Sequence, residues 1–119
     1  MSPEKSNKDC IFCRIISGEI PSKIVYQDED VVAFPDINPV TPVHLLIITR
    51  KHIPSLAAMA DSDTPLVGKM VKAANKIARE QGISETGYRL TINSGADAGQ
   101  VVPHLHMHFM GGRNLRWDH

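Results

Sequence analysis

The sequence has little of what marks a secreted, membrane-spanning or nucleic-acid-binding protein. Of its 119 residues only two, Cys10 and Cys13, are cysteines, too few for a disulfide framework. No apolar run nears the ~18 residues of a membrane span; Leu45–Ile48 is strand-sized. Neither sign of charge is in excess, since 13 Lys+Arg balance 13 Asp+Glu. Such a chain has no long-range field to gather nucleic-acid phosphates or an anionic membrane surface. A small anionic ligand stays open, because a local pocket does not depend on net charge. Residues 1–9 are polar and lack an apolar signal-peptide core, which leads us to expect a flexible tail and a reducing, cytoplasmic setting. What is there is ordinary for a globular domain, at 42% hydrophobic and 22% charged. The length predicts a single domain over residues 10–119.

Ile11, Phe12, Ile15 and Ile16 form a stripe that predicts a short helix, stopped by Gly18. Lys23–Gln27 and Val31–Phe34 read as strands around an Asp28-Glu29-Asp30 turn. Three prolines make Pro35–Pro42 a loop, and Val43–Thr49 is the best buried-strand candidate. Thr64-Pro65 opens one long helix, with Thr64 as cap and Pro65 at the first helical position. Leu66, Val67, Met70, Val71, Ala74, Ile77 and Ala78 would be its buried stripe, and Gly82 its stop. Tyr88–Asn93 and Val101–Met110 read as further strands, separated by a glycine-bearing loop. Short-turn strands with one long inserted helix predict an α+β domain on a mainly antiparallel sheet.

Three of the six histidines stand in five residues, His104, His106 and His108. On a strand, alternate side chains share a face, so the three imidazoles would line one side while Leu105, Met107 and Phe109 fill the core. A solvent-facing polar stripe would explain this placement, but Lys, Thr or Glu would serve it as well. Histidine is the side chain that can be neutral, nucleophilic and proton-donating near pH 7. A row of them suits attack on a phosphate or the holding of a metal. One ion cannot take all three from a straight strand, whose outer pair stands ~13 Å apart. Two alternate histidines could still share a metal in a hydrolase with further ligands and a carboxylate base, although Asp118 is the sole acid downstream.

The run His104-Leu105-His106-Met107-His108-Phe109-Met110 resembles the signature of the histidine triad family, and specifically its Hint branch of nucleoside phosphoramidases. The resemblance extends from Ile11 to Trp117 through the IFCRIISGEIPSKIVYQDE and FPDINPVTPVHLLI segments, RKHI, Asn93, Gly99-Gln100 and the closing GGR. It implies a five-stranded antiparallel sheet with one long and one short helix. It also implies a homodimer whose C-terminal residues, such as Trp117, approach the partner's active site. The implied substrate is a purine nucleoside 5'-phosphoramidate. By the same resemblance His106 is the nucleophile that forms a nucleotidyl-histidine, an instance of covalent catalysis. A neutral His106 needs an acceptor for its other ring N–H, for which a backbone carbonyl is expected.

His108 and Asn93 would bind nonbridging phosphate oxygens, assisted by backbone N–H groups of the Gly99, Gln100, Val101 and Val102 loop. His44 would support the triad's hydrogen bonds. Asp36 falls where the family grips the ribose hydroxyls; read by itself, it is also a natural Asx-turn residue after Pro35. Phe12, Ile15, Ile20, Phe34, Ile37 and Leu46 match positions of the base pocket, though any core contains such residues. Val101 departs from the family, which often has Ser or Thr there, so a side-chain proton donor for the leaving amine is missing. Cys10 and Cys13 alone are half a zinc site, or two helix-borne thiols with one facing the core. Family members that add histidines at positions matching His52 and His104 hold structural Zn2+, which the resemblance implies here, with no cofactor in the chemistry. Two other functions fit the same motifs: a slow-turnover nucleotide-binding regulatory protein, and a dinucleotide polyphosphate hydrolase of another family branch.

Overall fold

β3 (Val43–Thr49) is the spine of the molecule, buried along almost its whole length. The computed structural model describes residues 9–116, and within it a five-stranded sheet is built around that strand. The remaining strands are β1 (Tyr26–Gln27), β2 (Val31–Pro35), β4 (Tyr88–Thr91) and β5 (His106–Gly111), and their spatial order is β1-β2-β3-β5-β4. Every neighbouring pair is antiparallel. Two helices complete the fold, α1 (Ile11–Ile16) and α2 (Pro65–Glu80). The α+β class and the antiparallel sheet are as the sequence predicts. Residues 1–8 of the expected tail, and Trp117, lie outside the described residues.

Strand alternation divides the core into two layers. Val31, Ala33, Leu45, Ile47, Met107 and Phe109 pack on one face against Met70, Ala74 and Ile77 of α2. The even positions Val32, Phe34, Leu46 and Ile48 face the other way, against Phe12, Cys10 and Cys13 of the α1 segment. α1 is short, so it covers only part of this second face. The remainder is the floor of a cleft.

Local details differ from the sequence reading, each for a visible reason. β5 begins at His106 and not at Val101, because Pro103 has no N–H for a ladder and the chain turns there. Two bonds hold that turn, His104 N–H to Val102 O at 2.8 Å and Leu105 N–H to Ile53 O at 2.7 Å. Thr64 has helical backbone angles and makes no side-chain cap, since a 3-10 turn at Asp61–Asp63 leads into α2. Val71 is exposed and Ala73 takes its place in the buried stripe. The first strand is shorter than expected, because only Tyr26 and Gln27 pair with β2.

Candidate active site

Register brings the histidines together. β3 and β5 pair with Leu46 opposite His108 and Ile48 opposite His106. Met107 and Phe109 point into the α2 layer, so His106 and His108 share the opposite face. His44 stands on that same face of β3, one diagonal step from His108, with ring centroids 5.3 Å apart. The imidazoles of His104, His106 and His108 share this face, as alternation predicts, since Leu105, Met107 and Phe109 all pack in the α2 layer; they differ in depth. His104, ahead of the strand, is fully buried toward α1, while His106 and His108 line the cleft.

Hydrogen bonds assign the ring protons. His106 Nδ1–H donates to the carbonyl oxygen of His104 at 2.6 Å, the backbone acceptor expected from the sequence. Its Nε2 keeps a lone pair, as a nucleophile requires. Val40 N–H donates to His44 Nδ1 at 3.1 Å, so neutral His44 carries its proton on Nε2. That N–H has two acceptors, His108 Nδ1 at 3.1 Å and Asp36 Oδ2 at 3.3 Å. Burial pushes His44 below the usual imidazole range, against the pull of Asp36. Burial lowers His108 as well, aided by His106 and His44, again against Asp36. Burial thus favours the neutral form of both rings, and neutral rings can both accept and donate.

The cleft in front of these rings has a volume of ≈ 770 Å³, within the range that holds small-molecule ligands. Phe12, Ile15, Ile20, Phe34, Ile37 and Leu46, expected from the resemblance, all line it, as do Asp36, Gly99, Val101 and Val102. Apolar walls with a few convergent polar groups suit a flat ring system bearing an anionic end. Ile37 and Val101 stand at the rim, 90% and 88% exposed. Asn93 and Gln100 are not among the lining residues. The Gln100 amide braces the loop instead, donating to Pro54 O and Val102 O and accepting from Gly95 N–H. Sequence reasoning missed Lys23, the one Lys or Arg among the lining residues, because Lys23–Gln27 reads as an ordinary strand.

Below the cleft floor, four donors converge. Cys10 Sγ lies 3.3 Å from His104 Nδ1, Cys13 Sγ lies 3.3 Å from His52 Nδ1, and the two Nδ1 atoms are 3.2 Å apart. Cys13 Sγ is 3.6 Å from His104 Nδ1, and all four donor atoms fall within 4.8 Å of one another. A tetrahedron with Zn–S ≈ 2.3 Å and Zn–N ≈ 2.05 Å has edges of about 3.3–3.8 Å, close to the 3.2, 3.3, 3.3 and 3.6 Å of these four contacts. His104 Nε2–H donates to Thr49 O at 2.7 Å, which leaves its Nδ1 lone pair aimed at the other donors. Cys13 N–H donates to Cys10 Sγ at 3.4 Å. The donor set fits a tetrahedral soft-to-borderline cation.

A sheet with this strand order and an imidazole pair facing an apolar-walled cleft has the architecture of a histidine triad protein. The HIT domain model matches residues 17–115, and the chain belongs to the HIT domain family. Among its relatives, the purine nucleoside phosphoramidase of Escherichia coli K12 is 47% identical over 108 residues, covering 91% of each chain. A histidine triad protein from Clostridium difficile superposes with a TM-score of 0.91 at 46% identity, over 93% of this chain and 96% of that one. A HIT family hydrolase from Legionella pneumophila gives a TM-score of 0.89 at 44% identity, over 92% of this chain and 98% of that one.

Proposed function

We propose that the chain hydrolyses the P–N bond of purine nucleoside 5'-phosphoramidates. The observation that carries this is the bare Nε2 of His106, held by the Nδ1–H bond to the His104 carbonyl and facing the cleft. His106 Nε2 attacks the α-phosphorus and forms a P–N(His) bond as the amine leaves. Val101 has no proton to give, so the departing amine takes its proton from solvent. Water then displaces the histidine, releasing the nucleoside monophosphate and returning Nε2 to its starting state. His108 Nε2–H and the backbone N–H groups of Val101 and Val102 receive the charge on the phosphate oxygens, where fixed donors count most, whereas the expected Gly99 and Gln100 N–H groups already donate to Ala96 O and Gly95 O and close the loop. The base lies among Phe12, Ile15, Phe34 and Leu46, and Asp36 takes the ribose hydroxyls.

The identity to the Escherichia coli phosphoramidase supports this reading over dinucleotide polyphosphate hydrolysis. Parallel incubation with adenosine 5'-phosphoramidate and a diadenosine polyphosphate tests it. Faster AMP release from the phosphoramidate is expected; preference for the polyphosphate, or binding without turnover of either, would replace it with one of the two other functions.

Cys10, Cys13, His52 and His104 would hold Zn2+ as a structural ion, and its chemistry is to fasten the α1 segment to the start of β5. No step of hydrolysis runs through it. β4 is an edge strand, and a homodimer that joins two such edges would continue the sheet across both copies. Among the described residues no helix is long and apolar enough to cross a membrane.

A further inference from the structure

Asp36 is held in place from several sides. Its backbone N–H donates to His44 O at 2.9 Å, and its Oδ1 accepts from Asn38 N–H at 2.8 Å, an Asx turn just past β2. The side chain is 16% exposed, and Oδ2 sits 3.3 Å from His44 Nε2 and 3.8 Å from His108 Nδ1. The other titratable groups facing His108 are His44 on β3 and His106 on its own strand; Thr91, opposite on β4, carries no charge.

His44 has one proton for two acceptors. Val40 N–H occupies Nδ1, so a second ring proton there would have to displace that bond. If the Nε2–H goes to Asp36, His108 Nδ1 loses its donor. His108 then keeps its own proton on Nδ1, toward Asp36, and shows the cleft a bare lone pair that repels a phosphate oxygen. If the Nε2–H goes to His108 Nδ1, His108 carries its proton on Nε2 and offers the cleft a donor.

We propose that Asp36 is a positioning residue through which the sugar of the ligand sets the phosphate-binding tautomer of His108. This rests on the nucleotide reading above. Ribose hydroxyls donate to Oδ2 and satisfy it, and the His44 N–H passes wholly to His108 Nδ1. In the exchange the Nδ1 proton of His108 goes to water and a proton from water arrives on Nε2, with no net change in charge. A ligand without those hydroxyls leaves Asp36 competing, and part of the enzyme holds the wrong tautomer. The sugar therefore acts on kcat as well as on KM, beyond what a simple ribose grip would do.

The test is the ¹⁵N spectrum of His108 in the full chain, with adenosine or 2',3'-dideoxyadenosine added. Adenosine is expected to move His108 toward the Nε2–H tautomer, and the dideoxy compound to leave it unchanged. In kinetics, removing both hydroxyls from adenosine 5'-phosphoramidate should cut wild-type kcat roughly tenfold, the scale of one charge-linked hydrogen bond realised at the transition state. In Asp36→Ala the competing acceptor is gone, so the same removal should leave kcat within about twofold while KM stays raised. Asp36→Asn removes the acceptor charge but retains a carbonyl for the Asn38 turn, and should match Asp36→Ala in kcat. Adenosine binding with an unchanged His108 spectrum, or hydroxyl removal that raises KM alone in wild type, would overturn the relay and leave the nucleotide reading standing. Failure of adenosine to shift any cleft resonance would overturn the nucleotide reading and the relay with it.

Discussion

His106 Nδ1 lies 2.6 Å from the carbonyl oxygen of His104, and this contact joins two sites that the sequence reads as separate. The side chain of His104 belongs to the four-donor cluster under the floor, while its main chain orients the His106 ring above it. Phe12 stands between them, its ring edge-on to His104 at 5.8 Å and to His106 at 5.2 Å. Cys10 and Cys13 flank Phe12 in the chain, so whatever fixes the thiols also fixes the wall beside His106.

Replacing the nucleophile is the most direct check on the chemistry. His106→Ala should lower phosphoramidate turnover by more than about 10⁴-fold, as for loss of a catalytic nucleophile. Rapid acid quench should trap a nucleotidyl adduct on the wild-type protein and none on the variant. Turnover surviving at a tenth of wild type would assign the attack to water or to another residue.

Metal content tests the cluster. Protein purified without chelator should carry one zinc per chain. Cys13→Ala should then lose the metal and about 2–4 kcal/mol of stability, a drop in Tm of ~10 °C or more. Equal melting of the two proteins, with no bound metal in either, would leave Cys10 and Cys13 as core thiols.

Much of this was legible before the structure. Val43–Thr49 is a strand over the expected residues, because a continuous apolar run between turn signals has one economical solution in a sheet. The six apolar residues assigned to the base pocket all line the cleft, yet that assignment came from resemblance, since periodicity alone places such residues in any core. Alternation correctly put His104, His106 and His108 on one face, but it could not show that His104, ahead of the strand, is fully buried among the thiols. Asp36 shows a third kind of limit. Its Asx turn is local and readable, whereas its approach to His44 and His108 depends on long-range register between β3 and β5.

Acid should destabilise the protein through the cleft histidines. Burial holds His44 and His108 below the usual imidazole value, whereas in the unfolded chain they titrate near ~6.5. The unfolded state therefore binds more protons as the pH falls through that range. The stability they contribute is present above about pH 6.5 and is lost as pH drops toward the lower folded-state values. Thermal melts from about pH 8 to about pH 5 should show a plateau and then a falling limb. The double variant His44→Gln, His108→Gln should have a shallower limb, and an unchanged limb would assign the acid sensitivity elsewhere.

Gly112 marks a place where the backbone itself limits the site. Its φ is +91°, a left-handed conformation, and an added Cβ would meet Pro42 Cβ at 2.9 Å. That contact lies beside Val43, where β3 begins and His44 is launched. Gly112→Ala should cost about 2–3 kcal/mol from conformational strain and overpacking together. A melting point within 1–2 °C of wild type, an effect of roughly a few tenths of a kcal/mol, would show that the turn relaxes freely.

In the proposed reaction, Val101 would decide how the leaving group is treated. The side chain is 88% exposed at the cleft rim and has neither a donor nor an acceptor. A strongly basic alkylamine must be protonated as the P–N bond breaks, whereas an arylamine leaves with far less help. Val101→Ser restores a hydroxyl on the same backbone without disturbing the core. Turnover of alkylamine phosphoramidates should rise several-fold, up to ~10²-fold, while arylamine substrates should change by less than about twofold. The comparison separates proton supply from binding, because a hydroxyl that merely gripped the phosphate would favour both substrates alike. Equal gains on the two would move the role of this position from the amine to the phosphate.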